Sequence, residues 1–149
     1  MSDDLQIEVY SAFRTPSVQQ KESIADFLFQ HLGKYGDRRE DIMTCLDYAL
    51  KETPSFGGLI FVGIKQSETV GVVVVNKTGM SGYIPENILV YIATHSAHRR
   101  EGIGELLMRK VIERTEGDIA LHVEPDNPAR RLYERLGFGN KYLEMRLHK

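Results

Sequence analysis

Residues 95–107 read HSAHRREGIGELL, and this stretch decides the fold. Ahead of it, residues 88–94 (ILVYIAT) are rich in β-branched and aromatic side chains and predict a strand. Behind it, Ile103, Leu106, Leu107 and Val111 recur at helical spacing, which predicts a helix running to residue 116. A strand that passes through Gly102 and Gly104 into a helix aims successive backbone N–H groups at one point, and the helix dipole adds partial positive charge there. Arg99 and Arg100 stand just before the glycines and bring forked donors. A diphosphate fits that chemistry. An ordinary tight turn with two solvated arginines fits the same letters, so the pattern needs its context.

Working outward, residues 119–123 (IALHV) predict the next strand, and the strand–helix–strand unit is expected to be parallel with a right-handed crossover. Ligands gather at the carboxyl ends of such strands, here residues 93–98 and 124–127. Towards the N-terminus, residues 59–64 and 70–75 are β-branched runs separated by Lys65–Thr69, an antiparallel hairpin. Leu5, Ile7 and Val9 alternate as in a strand. Thr15-Pro16-Ser17 stops it, and Ser17 caps a helix with Ile24, Phe27, Leu28, His31 and Leu32 on one face and Gly33 at its end. Asp37 is placed to cap a second helix carrying Ile42, Cys45, Leu46, Ala49 and Leu50, closing before Pro54. Towards the C-terminus, Ala129, Leu132, Tyr133 and Leu136 predict a helix ended by Gly137, and residues 142–147 a closing strand. The expected fold is α/β: one mixed, mostly antiparallel sheet of about six to seven strands with a parallel pair late in the chain, flanked by about four helices.

With 149 residues, 42% of them hydrophobic, the chain predicts one domain, residues 1–149, around one core. A net charge of -2 lacks the basic surplus of nucleic-acid binding, which leaves a small molecule or peptide as partner. The start, MSDDLQIEVY, is acidic and alternating rather than basic and apolar, and no apolar run reaches the length of a membrane span. A cytoplasmic protein with no membrane partner is expected. The lone Cys45 sits in a helical apolar pattern and reads as a buried thiol rather than a nucleophile.

A dinucleotide fingerprint needs a third glycine where this chain has Leu107, and no Gly-Lys-Ser or Gly-Lys-Thr exists for a nucleotide-phosphate loop. A second element supplies the context: residues 126–138, DNPARRLYERLGF. Arg99-x-x-Gly102-x-Gly104 followed by a strand and this Asn…Ala…Leu-Tyr…Gly-Phe helix resembles the GNAT superfamily of N-acyltransferases over roughly the last two fifths of the chain. The resemblance implies acetyl-CoA as co-substrate. It implies that Ile92, Ala93 and Thr94 pair through their backbone with the pantetheine arm, one N–H there receiving the oxyanion. It implies that Arg99, Arg100, Glu101, Gly102, Ile103, Gly104 and Glu105 hold the phosphates. Asn127 resembles the asparagine on the pantetheine side, one residue nearer to Tyr133 than is commonest, so Asp126 shares its candidacy. Thr94 and Ser96 depart from the common valine and proline, at positions that act through backbone.

Tyr133 resembles the family tyrosine that protonates the leaving thiolate; its inward helical position also suits a core tyrosine. His122 stands where some relatives carry a glutamate base, and a structural histidine is the competing reading; Glu124, Glu86 and His95 are further candidates. No metal is expected, because nothing completes a ligand set around His95 and His98. The implied reaction is acetyl transfer to a primary amine of a small molecule or peptide in a ternary complex. A catalytically silent acyl-CoA-binding module is the alternative. Asp26, Glu40, Asp41 and Asp47 read either as attraction for a cationic amine or as a solvated helix face. An exposed edge strand would offer a route to a homodimer.

Overall fold

The computed structural model describes residues 4–149. Its elements follow the order β1 (Gln6–Tyr10), α1 (Val18–Leu32), α2 (Arg39–Ala49), β2 (Gly58–Lys65), β3 (Glu68–Lys77), β4 (Asn87–Thr94), α3 (Ile103–Arg114), β5 (Ile119–Leu121) and α4 (Ala129–Arg135). Short 3-10 turns occupy Gly33–Tyr35 and Ser96–His98. The strands form one sheet in the order β1-β2-β3-β4-β5, antiparallel except for the parallel β4–β5 pair.

Alternation along β3 sorts the core onto two faces. Val72 and Val74 point to α1 and α2, where they meet Ile24, Leu28, Ile42 and Leu46. Val73 and Val75 point to α3 and α4, among Ile103, Leu107, Met108, Val111 and Tyr133. Met108 is fully buried on α3 whereas the expected Leu106 is only half-buried. Gly71 lets α3 lie close on the sheet: a Cβ there would stand 2.5 Å from Leu107 Cδ1.

Ser17 caps α1 as expected, in a reciprocal box: Gln20 N–H donates to Ser17 Oγ at 3.0 Å and Ser17 N–H to Gln20 Oε1 at 2.8 Å. The expected cap of α2 is different. Arg38 occupies the cap position with no side-chain capping bond, and the Asp37 carboxylate accepts the Tyr91 hydroxyl at 2.6 Å instead. The β2–β3 loop is tighter than the five residues expected, with only Gln66 and Ser67 between paired Lys65 and Glu68. Both have positive φ, 51° and 64°, the twist that a two-residue hairpin requires.

Among the described residues the sheet has five strands, not six to seven. Residues 139–149 form no regular element, and Tyr142, Leu143, Met145 and Leu147 are exposed. Alternation makes that segment strand-like, but a strand also needs a ladder to join, and β5 is only 3 residues long. What shortens β5 lies in β4. Val75 faces Leu89 and Val74 faces Tyr91, so Val90 is an extra residue, a bulge that bends the strand. Past it β4 leaves β5: the ladder between them covers only Asn87–Leu89 against Ile119–Leu121. An open cleft follows.

Candidate active site

The cleft between the carboxyl ends of β4 and β5 has a backbone wall. His95 N–H donates to Val70 C=O at 2.8 Å, so the His95 backbone faces β3. Peptide groups alternate along a strand, which turns the Ala93 backbone to β3 as well and those of Ile92 and Thr94 to the cleft. Of the three candidate strand residues, Ile92 and Thr94 turn their backbone groups to the cleft. Ala93 turns its backbone to β3, pairs opposite Val72 and buries its methyl group beneath α1.

The chain then winds through Ser96–His98 to Arg100 at φ 69° and Gly102 at φ 78°. Gly102 caps α3 in the left-handed region, which costs a glycine little. The first helical bond of α3 is Leu106 N–H to Gly102 C=O at 3.1 Å. The N–H groups of Ile103, Gly104 and Glu105 have no acceptor among the described residues and point outward at the positive end of the helix dipole. A pyrophosphate oxygen fits this nest, and open space lies around Gly102 for it.

Electrostatics keep the nest positive. Glu101 is drawn aside by Lys65 at 3.1 Å and His98 at 3.2 Å, and the Lys65 bond holds its carboxyl below the usual range. Glu105 is matched by Arg109 at 3.1 Å and Arg135 at 3.5 Å, with Arg109 the main cause of its lowered pKa. The two arginines divide their work. Arg99 donates to the His31 carbonyl at 3.2 Å and so caps α1, while Arg100 makes no ion pair or hydrogen bond among the described residues. The Arg100 guanidinium therefore keeps its forked donors available to an anion.

Tyr133 is 5% exposed, its ring against Phe138 with centroids 5.9 Å apart. Its hydroxyl bonds to no described residue, yet its oxygen is not among the sealed, unsatisfied polar atoms. Burial pushes its pKa up to about 12, so it stays a donor at neutral pH. Asn127 has its Oδ1 occupied by the Ala129 N–H at 2.9 Å, which starts α4 and leaves only its amide NH₂. Asp126 bonds to Lys34 and, through its carbonyl, to Tyr35. His122 lies just past β5, exposed and without a hydrogen bond among the described residues. Leu121 and Val123 pack on the α3 side, whereas His122 and Glu124 are exposed.

The remaining base candidates, Glu86 and His95, stand at opposite ends of β4. Glu86 precedes β4 and therefore lies at the opposite end of the strand, accepting the Asp118 N–H at 2.9 Å. His95 accepts the Ala97 N–H through Nδ1 and stacks on His31. The acidic residues of the early helices are matched internally: Asp26 and Glu22 by Arg39, Glu40 and Asp41 by Arg38, Asp47 by Lys21. They form no open cation site. Cys45 is half-buried, and burial raises its thiol to about 12, out of nucleophile range. Sequence reading missed His31, whose place in a helical apolar stripe hides the two bonds it makes to the loop after β4.

A hollow of about 420 Å³ lined by Lys77, Glu86, Arg114 and Glu116 lies at the amino end of β4, away from this chemistry. Its charges are mixed and its walls carry no nest.

The family model of the GNAT acetyltransferase domain matches residues 57–139, from the start of β2 past the end of α4. The chain belongs to the GNAT acetyltransferase family. GNAT membership makes acetyl-CoA the co-substrate. No curated protein matches the chain by sequence. Among solved structures, an aminoglycoside N-acetyltransferase, AAC(6')-Iy, in complex with CoA superposes at TM-score 0.69 with 13% identity, covering 97% of this chain and 94% of that one. A transcriptional regulator from Bacillus halodurans superposes at 0.70 with 22% identity, over 97% and 100%. A ribosomal-protein-alanine N-acetyltransferase from Brucella melitensis superposes at 0.65 with 17% identity, over 97% and 99%. At such identities the likeness is one of fold. Among the described residues no helix is long and apolar enough to cross a membrane.

Proposed function

We propose that this GNAT protein transfers acetyl from acetyl-CoA to a primary amine of a small molecule or peptide, by direct attack in a ternary complex. One observation carries the reading: the open β4 edge at Ile92 and Thr94 leads straight into the unpaired N–H groups of Ile103, Gly104 and Glu105. The pantetheine arm adds to that edge as an extra strand, and the pyrophosphate lies on the N–H groups with Arg100 beside it. The Asn127 NH₂ faces the pantetheine side.

In the reaction the neutral amine attacks the thioester carbonyl. A C–N bond forms, and the oxygen gathers negative charge against a backbone N–H of Ile92 or Thr94. The C–S bond then breaks, and Tyr133 gives its proton to the leaving sulfur. The proton lost by nitrogen goes to His122, directly or through water: His122 follows β5 directly, is exposed and has no hydrogen-bond partner among the described residues. The acceptor stays at the level of an amine, since structures named for aminoglycoside and for ribosomal-protein acetylation resemble this fold about equally. Cytoplasmic residence supplies the acyl donor, and the exposed apolar segment at residues 142–147 supports a homodimer.

Calorimetric titration with acetyl-CoA, with NADH as control, tests the donor. Micromolar binding of acetyl-CoA alone supports the reading, and a thiol-release screen over polyamines, aminoglycosides and peptide N-termini then finds the acceptor. Folded protein that binds neither ligand ends the enzyme assignment. Binding without thiol release for any amine leaves a silent acyl-CoA module.

A further inference from the structure

The end of α1 touches both walls of the cleft. On the β4 side, His31 is 7% exposed, and its Nδ1 accepts the Ser96 N–H at 3.3 Å. Its carbonyl accepts from Arg99, and its ring lies between Phe27 and His95 at centroid distances of 4.5 and 4.3 Å. On the β5 side, the Gly33–Tyr35 turn carries the chain across. There the Tyr35 hydroxyl donates to the Asp126 carbonyl at 3.2 Å, and Lys34 pairs with the Asp126 carboxylate at 3.1 Å. Residues 31–35 thus span two strands that no ladder joins beyond Leu89 and Leu121.

We propose that residues 31–35 are a bracket that sets the width of the β4–β5 opening, with His31 and Tyr35 as its positioning residues for bound acetyl-CoA. The proposal rests on the reading of the cleft as the acetyl-CoA site. Strands joined only at their base keep their separation poorly, and a site loses function over about 1 Å of misplacement. The bracket supplies the missing tie at the far end. It also explains Arg99: its guanidinium holds the loop to α1, which leaves the phosphates to Arg100 and the N–H nest. His31 works here as the neutral ring with Nδ1 as acceptor and the proton on Nε2. Lys34 adds little, because its ion pair stands in solvent. The bracket lies outside residues 57–139, in the part of the chain beyond the family model.

The test is calorimetric titration of acetyl-CoA into the wild type, His31→Leu, His31→Asn, Tyr35→Phe and the double variant His31→Leu/Tyr35→Phe. Asparagine places Oδ1 near the position of Nδ1 and keeps the acceptor. Tyr35→Phe removes one hydroxyl and leaves the ring, so its fold is safe. The expected results are binding about fivefold weaker for His31→Leu and for Tyr35→Phe, and within about twofold of wild type for His31→Asn. The double variant is expected to be little worse than either single one, since a bracket cut at one end no longer spans. Asn as weak as Leu overturns the proposal, as do multiplying single effects or a silent Tyr35→Phe. Wild type that binds no acetyl-CoA removes the donor reading and the bracket together; wild type that binds, with variants that match it, removes the bracket alone.

Discussion

Tyr133 places its ring in the α3-side core, and its hydroxyl has no hydrogen-bond partner among the described residues. These two parts of one side chain answer to different measurements. Tyr133→Phe keeps the packing and removes no hydrogen bond made among the described residues, so the free energy of unfolding, read from urea denaturation, is expected to change by no more than about 0.5 kcal/mol. Turnover is expected to fall about a hundredfold while acetyl-CoA affinity holds, because a proton donor acts in the transition state. Unchanged turnover would return Tyr133 to packing alone. His31 makes a second prediction at this scale. Burial lowers its pKa below the usual 6.5, with His95 and Arg99 repelling its charged form and Glu68 opposing them. Above about pH 6.5 both folded and unfolded chains hold it neutral. Below that, the unfolded chain takes up a proton that the folded one refuses, so stability falls as pH drops and levels off below the folded pKa. Urea midpoints from pH 7.5 to 5 are expected to drop more for the wild type than for His31→Asn; parallel curves would mean that His31 is not the group titrating.

Elements with local causes were legible in the chain, and elements with distant causes were not. Ser17 caps α1 through a residue three positions away, and Gly102 opens α3 through its own φ, so both read directly from neighbouring letters. Asp37 does not cap α2, and its carboxylate is held by Tyr91, far along the chain. The closing strand at 142–147 failed for a similar reason: periodicity shows which residues share a face but not whether a ladder waits for them. The β4 bulge at Val90, which opens the site, leaves no mark in an unbroken apolar run. Two predictions belong here. Gly104 is half-buried at the nest, and a Cβ there would meet Leu132 at 3.4 Å and the Thr94 hydroxyl at 3.7 Å, both ordinary contacts. Gly104→Glu is therefore expected to keep the circular-dichroism spectrum and lose acetyl-CoA binding by at least about a hundredfold, through like charge and bulk at the phosphate. Retained affinity would remove the pyrophosphate assignment. In the β2–β3 turn, Ser67 holds φ 64° without being glycine. Ser67→Gly is expected to raise stability by about 0.5–1 kcal/mol, read as a higher melting temperature, because the hairpin no longer holds a side chain in the left-handed region.

At the scale of the whole molecule, the site and the core are arranged around the same strand. Every residue of β3 from Val70 to Asn76 is buried, with α1 and α2 over one face and α3 and α4 over the other. The donor loop belongs to the α3 side, the bracket to the α1 side, and β3 lies between them. If the two faces unfold together, the amides of β3 exchange only through global opening, and the bonds that tie His31 to the loop after β4 join two parts of one cooperative unit. Hydrogen exchange is expected to show β3 amides slowest, those of α1 and α3 close behind with matching free energies of opening, and those of residues 139–149 exchanging at once. An α1 that opens well below the global value while α3 stays protected would mean two units, with the acceptor-side helices free to part from a preformed donor site. Acetyl-CoA would then protect α3 and leave α1 unchanged, whereas a single unit protects both by the same amount.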